Sequence, residues 1–154
     1  MPAPLLPNPR RTSVLWADLL EPDAERRDGW AVCSHPPRLV ACGETWDAVV
    51  ITPLERGLAA LDRLSLPREA GYPVLADYIR RQLIVQVPVG TAHHCDAPGS
   101  RMLSAETWLL VPDDRYGTAS ATWLSAPGPL SSRLVDAALL CRALRDLDAS
   151  FRNG

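Results

Sequence analysis

Residues 46–66 read Trp46-Asp47-Ala48-Val49-Val50-Ile51-Thr52-Pro53, then LERGLAALDRLSL. The run Ala48-Val49-Val50-Ile51 is apolar and rich in β-branched residues, which suits a buried central strand better than a helix. Pro53 stops the ladder and sits well in the first turn of a helix. Leu54, Leu58, Leu61 and Leu64 then recur at helical spacing as one apolar stripe. The stretch therefore predicts strand, tight turn and helix. Active sites are often built at the carboxyl end of such a strand. Here that end is Val50-Ile51-Thr52-Pro53, with no acid, no base and no nucleophile stronger than threonine.

Working outward, Leu83 to Val87 reads as a strand ended by Pro88 and Gly90, and Thr107 to Val111 as another ended by Pro112-Asp113-Asp114. Both are expected to flank the strand at Ala48 to Thr52. Ala121 to Leu124 reads as a last short strand. Trp30 to Cys33 and Arg38 to Cys42 read as short strands, and Val74 to Arg81 fits either a strand or a short helix. Thr12 or Ser13 can cap a short helix that Pro22 limits, and residues 21–29 read as a solvated turn. Ser131 or Ser132 is expected to cap a long helix running to about Ser150. Residues 1–12 form a proline-rich arm and 13–154 a single domain. The fold class that results is α+β: a mixed sheet of about five strands, helices on one face and a long C-terminal helix.

A chain of 154 residues suits one domain with a modest core. The net charge of -2 gives no global reason to expect nucleic acid as a partner. All 16 basic residues are arginine, a composition expected of a high-GC, actinobacterial genome. No run approaches the length of a membrane span, and the first thirteen residues hold no apolar core of signal-peptide length. A cytoplasmic protein is the expectation, with Cys33, Cys42, Cys95 and Cys141 as reduced thiols and no C-x-x-C pair among them.

From about residue 30 to residue 125 the order of elements resembles the bifunctional primase-polymerase (Prim-Pol) domain of the archaeo-eukaryotic primase superfamily, in its small actinobacterial form. In that family an apolar strand ends in Asp-x-Asp, followed by a glycine and a Leu-rich helix. The matching residues here are Val49-Val50-Ile51-Thr52, Gly57 and LAALDRL. The family's strand that begins near a catalytic His matches Gln82 to Pro88. Its third acid falls at Arg101, and its aromatic-apolar run into Pro at Trp108 to Pro112. The resemblance implies a Prim-Pol/RRM-like sheet core. It also implies lost chemistry. Carboxylates at i and i+2 on a strand share a face and can hold the divalent metals that activate the attacking hydroxyl. Val50, Thr52, Gln82 and Arg101 stand where the metal and phosphate ligands would be. Asp47 is three residues from Val50, so it falls on the opposite face.

The expected function is thus a catalytically inactive Prim-Pol-like domain that binds an unidentified protein partner or a second copy of itself, as a regulatory or scaffolding module. The alternative is a nucleotide or small-molecule binder reusing the degenerate cleft, and no cofactor is expected. The candidate face comprises Val50, Thr52, Gln82, Ile84, Gln86 and Arg101. Its near-neutral, partly apolar surface requires a cover: residues 91–100, the C-terminal helix, or a partner chain. Arg80, Arg81 and Arg115 are the candidate anion-binding residues, against the ordinary reading as solvated surface. Cys33, His35, His94 and Cys95 are the candidate zinc ligands, against the ordinary reading as loop histidines and buried thiols. A third reading, an unrelated enzyme, would centre on His93, His94 and Asp96.

Overall fold

The computed structural model describes residues 15–33, 35–127 and 133–153, with side chains as far as Ser150. The architecture is α+β. Seven strands occur among the described residues: β1 (Arg38–Ala41), β2 (Trp46–Ile51), β3 (Val74–Asp77), β4 (Gln82–Pro88), β5 (Ser100–Leu103), β6 (Trp108–Val111) and β7 (Thr122–Ser125). Three helices accompany them: α1 (Ala24–Ala31), α2 (Leu54–Arg63) and α3 (Ala137–Asn153). Five strands form one sheet in the order β5-β2-β4-β3-β7, and β1 and β6 form a separate two-stranded sheet. Every ladder is antiparallel.

Side chains alternate along β2, and each face acquires its own core. Val49 and Ile51 join Val74, Ala76, Leu83, Val85 and Val87 under the helices. Leu54, Leu58 and Leu61 of α2 pack on this face, as do Leu140, Cys141 and Leu144 of α3. Gly57 permits the close approach of α2, because a Cβ there would lie 2.9 Å from Leu83 Cβ. Arg56 ties the two helices together, its Nε and Nη2 donating to the two Asp148 carboxylate oxygens at 3.0 and 2.8 Å. Ala48 and Val50 face the other way and form a second core with Leu75, Ile84 and Trp123. Leu109 and Val111 of β6 pack against that second core. The sheet is therefore sandwiched between helices and the small β1–β6 sheet.

Several expectations need correction. The strand at 107–111 does not flank β2; its neighbours are β4 and β5. β5 is not among the expected strands, since Ser100-Arg101-Met102-Leu103 is too short and too exposed to show a clear alternation. Trp30 and Ala31 end a helix rather than start a strand. Asp23 is the N-cap of α1, accepting from the Arg26 N–H at 2.8 Å. The residues at Trp16–Leu19 make a single 3-10 turn, held by Asp62 of α2, whose carboxylate accepts from the Trp16 and Ala17 N–H groups. Val74 to Arg81 resolves as β3 followed by a turn. The C-terminal helix starts at Ala137, and its first turn is capped by Asp136, which accepts from Leu139 N–H at 2.9 Å. Ser131 and Ser132, like the arm at residues 1–12, lie outside the described residues.

A candidate cleft between the two sheets

Register places one row of residues straight across the five-stranded sheet. Arg101 on β5 is opposite Val50 on β2, Val50 is opposite Ile84 on β4, Ile84 is opposite Leu75 on β3, and Leu75 is opposite Trp123 on β7. Directly opposed residues in antiparallel strands project from the same face, so this row is the floor on which the β1–β6 sheet rests. The cover is incomplete. An open cleft of about 310 Å³ remains, with Val50, Leu75 and Ile84 on its floor, Leu109 on its β1–β6 side and Leu39, Trp108 and Leu110 at its mouth. Gln82, Asp77, Arg80 and Arg101 bring the polar groups to its wall.

The polar side of the cleft is set by the turn between β3 and β4. Asp77 is buried, and its Oδ1 accepts the N–H groups of Ile79 and Arg80 at 3.0 and 2.8 Å. Its Oδ2 takes Arg80 Nη1–H at 3.0 Å. The carboxylate that reaches the cleft is thus engaged in holding the turn and presenting Arg80. Arg101 is exposed and forms no ion pair among the described residues. The cleft combines an apolar floor with two guanidinium groups. It can hold an apolar body, or an apolar body ending in an anion.

The sequence-derived residues divide between this cleft and other places. Val50, Gln82, Ile84 and Arg101, spread over 52 positions of chain, converge on it. Thr52 is exposed beyond the end of β2, its N–H bonded to the Gly99 carbonyl at 2.9 Å. Gln86 is buried and outside the cleft lining. The cover on this face is neither residues 91–100 nor the C-terminal helix, which belong to the helix-side core, but the chain's own β1–β6 sheet. Val50 and Ile84 are consequently buried within the chain, 3 % and 5 % exposed, and are a floor rather than a contact surface.

The arginine trio does not assemble. Arg80 lines the cleft, whereas Arg81 donates to the Leu20 carbonyl and to Glu21, at 3.2 and 3.3 Å. Arg115 lies over the Tyr116 ring, 5.2 Å from its centroid, and pairs with Glu25. It borders a larger depression of about 470 Å³, in which Arg26, Arg68 and Arg115 are matched by Asp23, Glu25 and Glu69. That balance gives an anion no net attraction.

The proposed zinc ligands are also separated. Cys33 donates to Asp114 Oδ2 at 3.1 Å, a bond that pushes the thiol up and helps hold Asp114 low together with the Gly117 N–H. Cys95 is buried beside Cys141 against α3, and burial pushes it up to about 11. His93 and His94 are exposed and contact each other edge-on. Asp96 is engaged by Arg145. No group of three or more His, Cys, Asp or Glu side chains suited to a metal occurs among the described residues. No helix among the described residues is long and apolar enough to cross a membrane.

Sequence reasoning missed the outer face of the β1–β6 sheet. Leu39 and Leu110 are register partners, and Trp108 is two residues from Leu110, so all three share one side. They are 64 %, 43 % and 61 % exposed. The alternation in Trp108-Leu109-Leu110-Val111 is invisible to hydropathy because both sides are apolar. Comparison with models of known protein families, with curated proteins and with solved structures gave no match for this chain.

Proposed function

We propose that this chain is a catalytically inactive Prim-Pol-like domain that works by binding another protein, as a regulatory or scaffolding module. The partner docks on the outer side of the β1–β6 sheet and the cleft beside it. The observation that carries this reading is the exposed cluster of Leu39, Trp108 and Leu110 at the mouth of the cleft. Large aromatic and aliphatic side chains exposed together favour association, and tryptophan is enriched at interface centres. The loss of polymerase chemistry is supported by the groups at the row's positions: Val50 and Arg101 where the resemblance places acids, and Asp77 already bonded within its turn.

The test is recovery of partners by tagged parent protein and by Trp108→Glu and Leu39→Glu, with melting temperatures measured in parallel. Both variants should keep the parent melting temperature and lose the recovered protein, or lose self-association in size-exclusion chromatography. Folded variants with unchanged recovery and oligomeric state would remove this surface. Primer extension with Mg²⁺ or Mn²⁺ should give no product; template-dependent synthesis surviving stringent purification would overturn the inactive reading.

A second reading is favoured by Arg101. Arg101 and Arg80 both line a cleft whose volume reaches the lower end of the range for small-molecule sites, about 300–1,000 Å³. A nucleotide or other anion with an apolar part fits that arrangement. Saturable nucleotide binding without Mg²⁺, weakened by Arg101→Ala, would favour it over the protein partner.

A further inference from the structure

The cleft beside the β1–β6 sheet has a charge pattern that its mouth presents to solvent. Its charged lining side chains are Asp77, Arg80 and Arg101. Asp77 is buried and both its oxygens are engaged, Oδ1 by the Ile79 and Arg80 N–H groups and Oδ2 by Arg80 Nη1–H. The two guanidinium groups are at the surface. The Arg80 side chain is 70 % exposed. Arg101 is exposed and opposite Val50 in the register, so its side chain leaves the sheet on the cleft side. A positive rim thus borders the exposed Leu39, Trp108 and Leu110, which line the same cleft. The chain as a whole carries a net charge of -2, so the attraction for an anion is confined to this patch.

The pattern selects among anionic partners. An anionic membrane is typically held by clusters of about four to eight basic residues, and a nucleic-acid backbone by a series of phosphate contacts. Two arginines meet neither need. A guanidinium without an ion pair, as at Arg101, matches one carboxylate through a bidentate pair of hydrogen bonds. Leu39 and Leu110 offer aliphatic contact, and tryptophan and arginine are among the residue types that most often anchor protein interfaces. A cleft of about 310 Å³ is at the small end for ligand sites and takes a short segment rather than a folded surface. In such an interface the apolar cluster contributes affinity, and the rim charge sets mainly which partner docks and how fast.

Resting on the protein-binding reading above, we propose that the partner docks through a short peptide segment in which an acidic residue adjoins large apolar side chains. The apolar side chains pack on Leu39, Trp108 and Leu110; the carboxylate pairs with Arg101, and Arg80 adds to the field. The test is selection from a phage-displayed library of random linear peptides on the full chain, with counter-selection on Trp108→Glu. Enriched sequences should place Asp or Glu within a few residues of Leu, Ile, Phe or Trp. The most enriched peptide would then be synthesised and titrated by calorimetry. Exchanging its acid for the corresponding amide should weaken binding on the order of tenfold, as should Arg101→Glu, and exchanging the acid for lysine should restore binding to Arg101→Glu. The amide exchange lies in the peptide, so it decides the matter even if a protein variant does not fold. Enriched peptides that lack an acid, or whose binding ignores the amide exchange or the change at Arg101, would overturn the acidic segment and leave the surface as a docking site. No enrichment over Trp108→Glu would overturn the segment and the surface together. Binding to phosphatidylserine vesicles that is lost in Arg101→Glu, or self-association that is lost in Trp108→Glu, without peptide enrichment, would give the surface to a membrane or to a second copy and overturn the proposal.

Discussion

At the scale of single residues, burial separates probes of folding from probes of binding. Val50 looks like an interface position in the sequence, yet it lies between Ile84 and Arg101 beneath the β1–β6 sheet. Val50→Arg should therefore cost several kcal/mol, on the order of 3–5, because it forces an uncompensated charge into a packed site. Chemical denaturation would show it as a large fall in the midpoint, in contrast to Trp108→Glu. Tyr78 gives a pH signature. Its hydroxyl donates to the Leu19 carbonyl at 2.7 Å, and burial pushes its ionisation up to about 12 from an ordinary value of 10. The folded state holds this proton more tightly than the unfolded chain. The stability it contributes is complete below about pH 10 and is lost as the pH rises through about 12. Cys95 acts with the same sign over a lower window, from 9 to about 11. Tyr78→Phe should flatten the decline in denaturation midpoint between pH 10 and 12, and an unchanged decline would show that Tyr78 does not cause it.

At the scale of elements, the seating of α2 on the sheet depends on Gly57. Alanine is the better helix former by roughly 1 kcal/mol, but a Cβ at this position would meet Leu83 Cδ2 at 2.8 Å and Leu83 Cβ at 2.9 Å. Leu83 is fully buried, and its Cβ is fixed to strand β4. Overpacking of this kind costs about 1–3 kcal/mol and outweighs the propensity gain. Gly57→Ala is expected to lower the melting temperature; a rise would mean that α2 can shift off the sheet without penalty. The glycine that the Prim-Pol resemblance aligns after the apolar strand β2 thus has a packing reason of its own. The β1–β6 sheet obeys a different logic. Two short strands are marginal alone, and this pair is held by Leu109 and Val111 against the second core, which leaves Leu39, Trp108 and Leu110 facing outward.

At the scale of the whole molecule, the large core is shared by elements distant in sequence. Leu140, Cys141 and Leu144 of α3 meet Leu58 and Leu61 of α2 and the inner face of the sheet, and Arg56–Asp148 bridges 92 positions. Removing residues 137–154 would uncover this face. The truncated chain should lose its cooperative thermal transition by circular dichroism; a sharp transition near the parent temperature would show that α3 is an appendage. The opposite side has its own cover, and an opening beside it is what remains as the candidate site.

How much of this was legible in the sequence follows from which forces are local. Strand β2, helix α2, strand β4 and the α+β class were readable because β-branched runs, Leu spacing and Pro and Gly stops act over a few residues. That Val50 carries no side-chain metal ligand was readable for the same reason, since it follows from residue type alone. The pairing of strands was not. β5 has only four residues, and its place beside β2 is decided by Val49↔Met102 and its neighbouring pairs, a contact across 53 positions. Nor could the sequence say that residues 38–41 and 108–111 leave the main sheet to cover its far face. Their composition is that of any strand, and only the competition of tertiary packing assigns them. That step buried the expected interface and opened the cleft. It also left Leu39, Trp108 and Leu110 in water, because both sides of a two-stranded sheet cannot be covered by the same core.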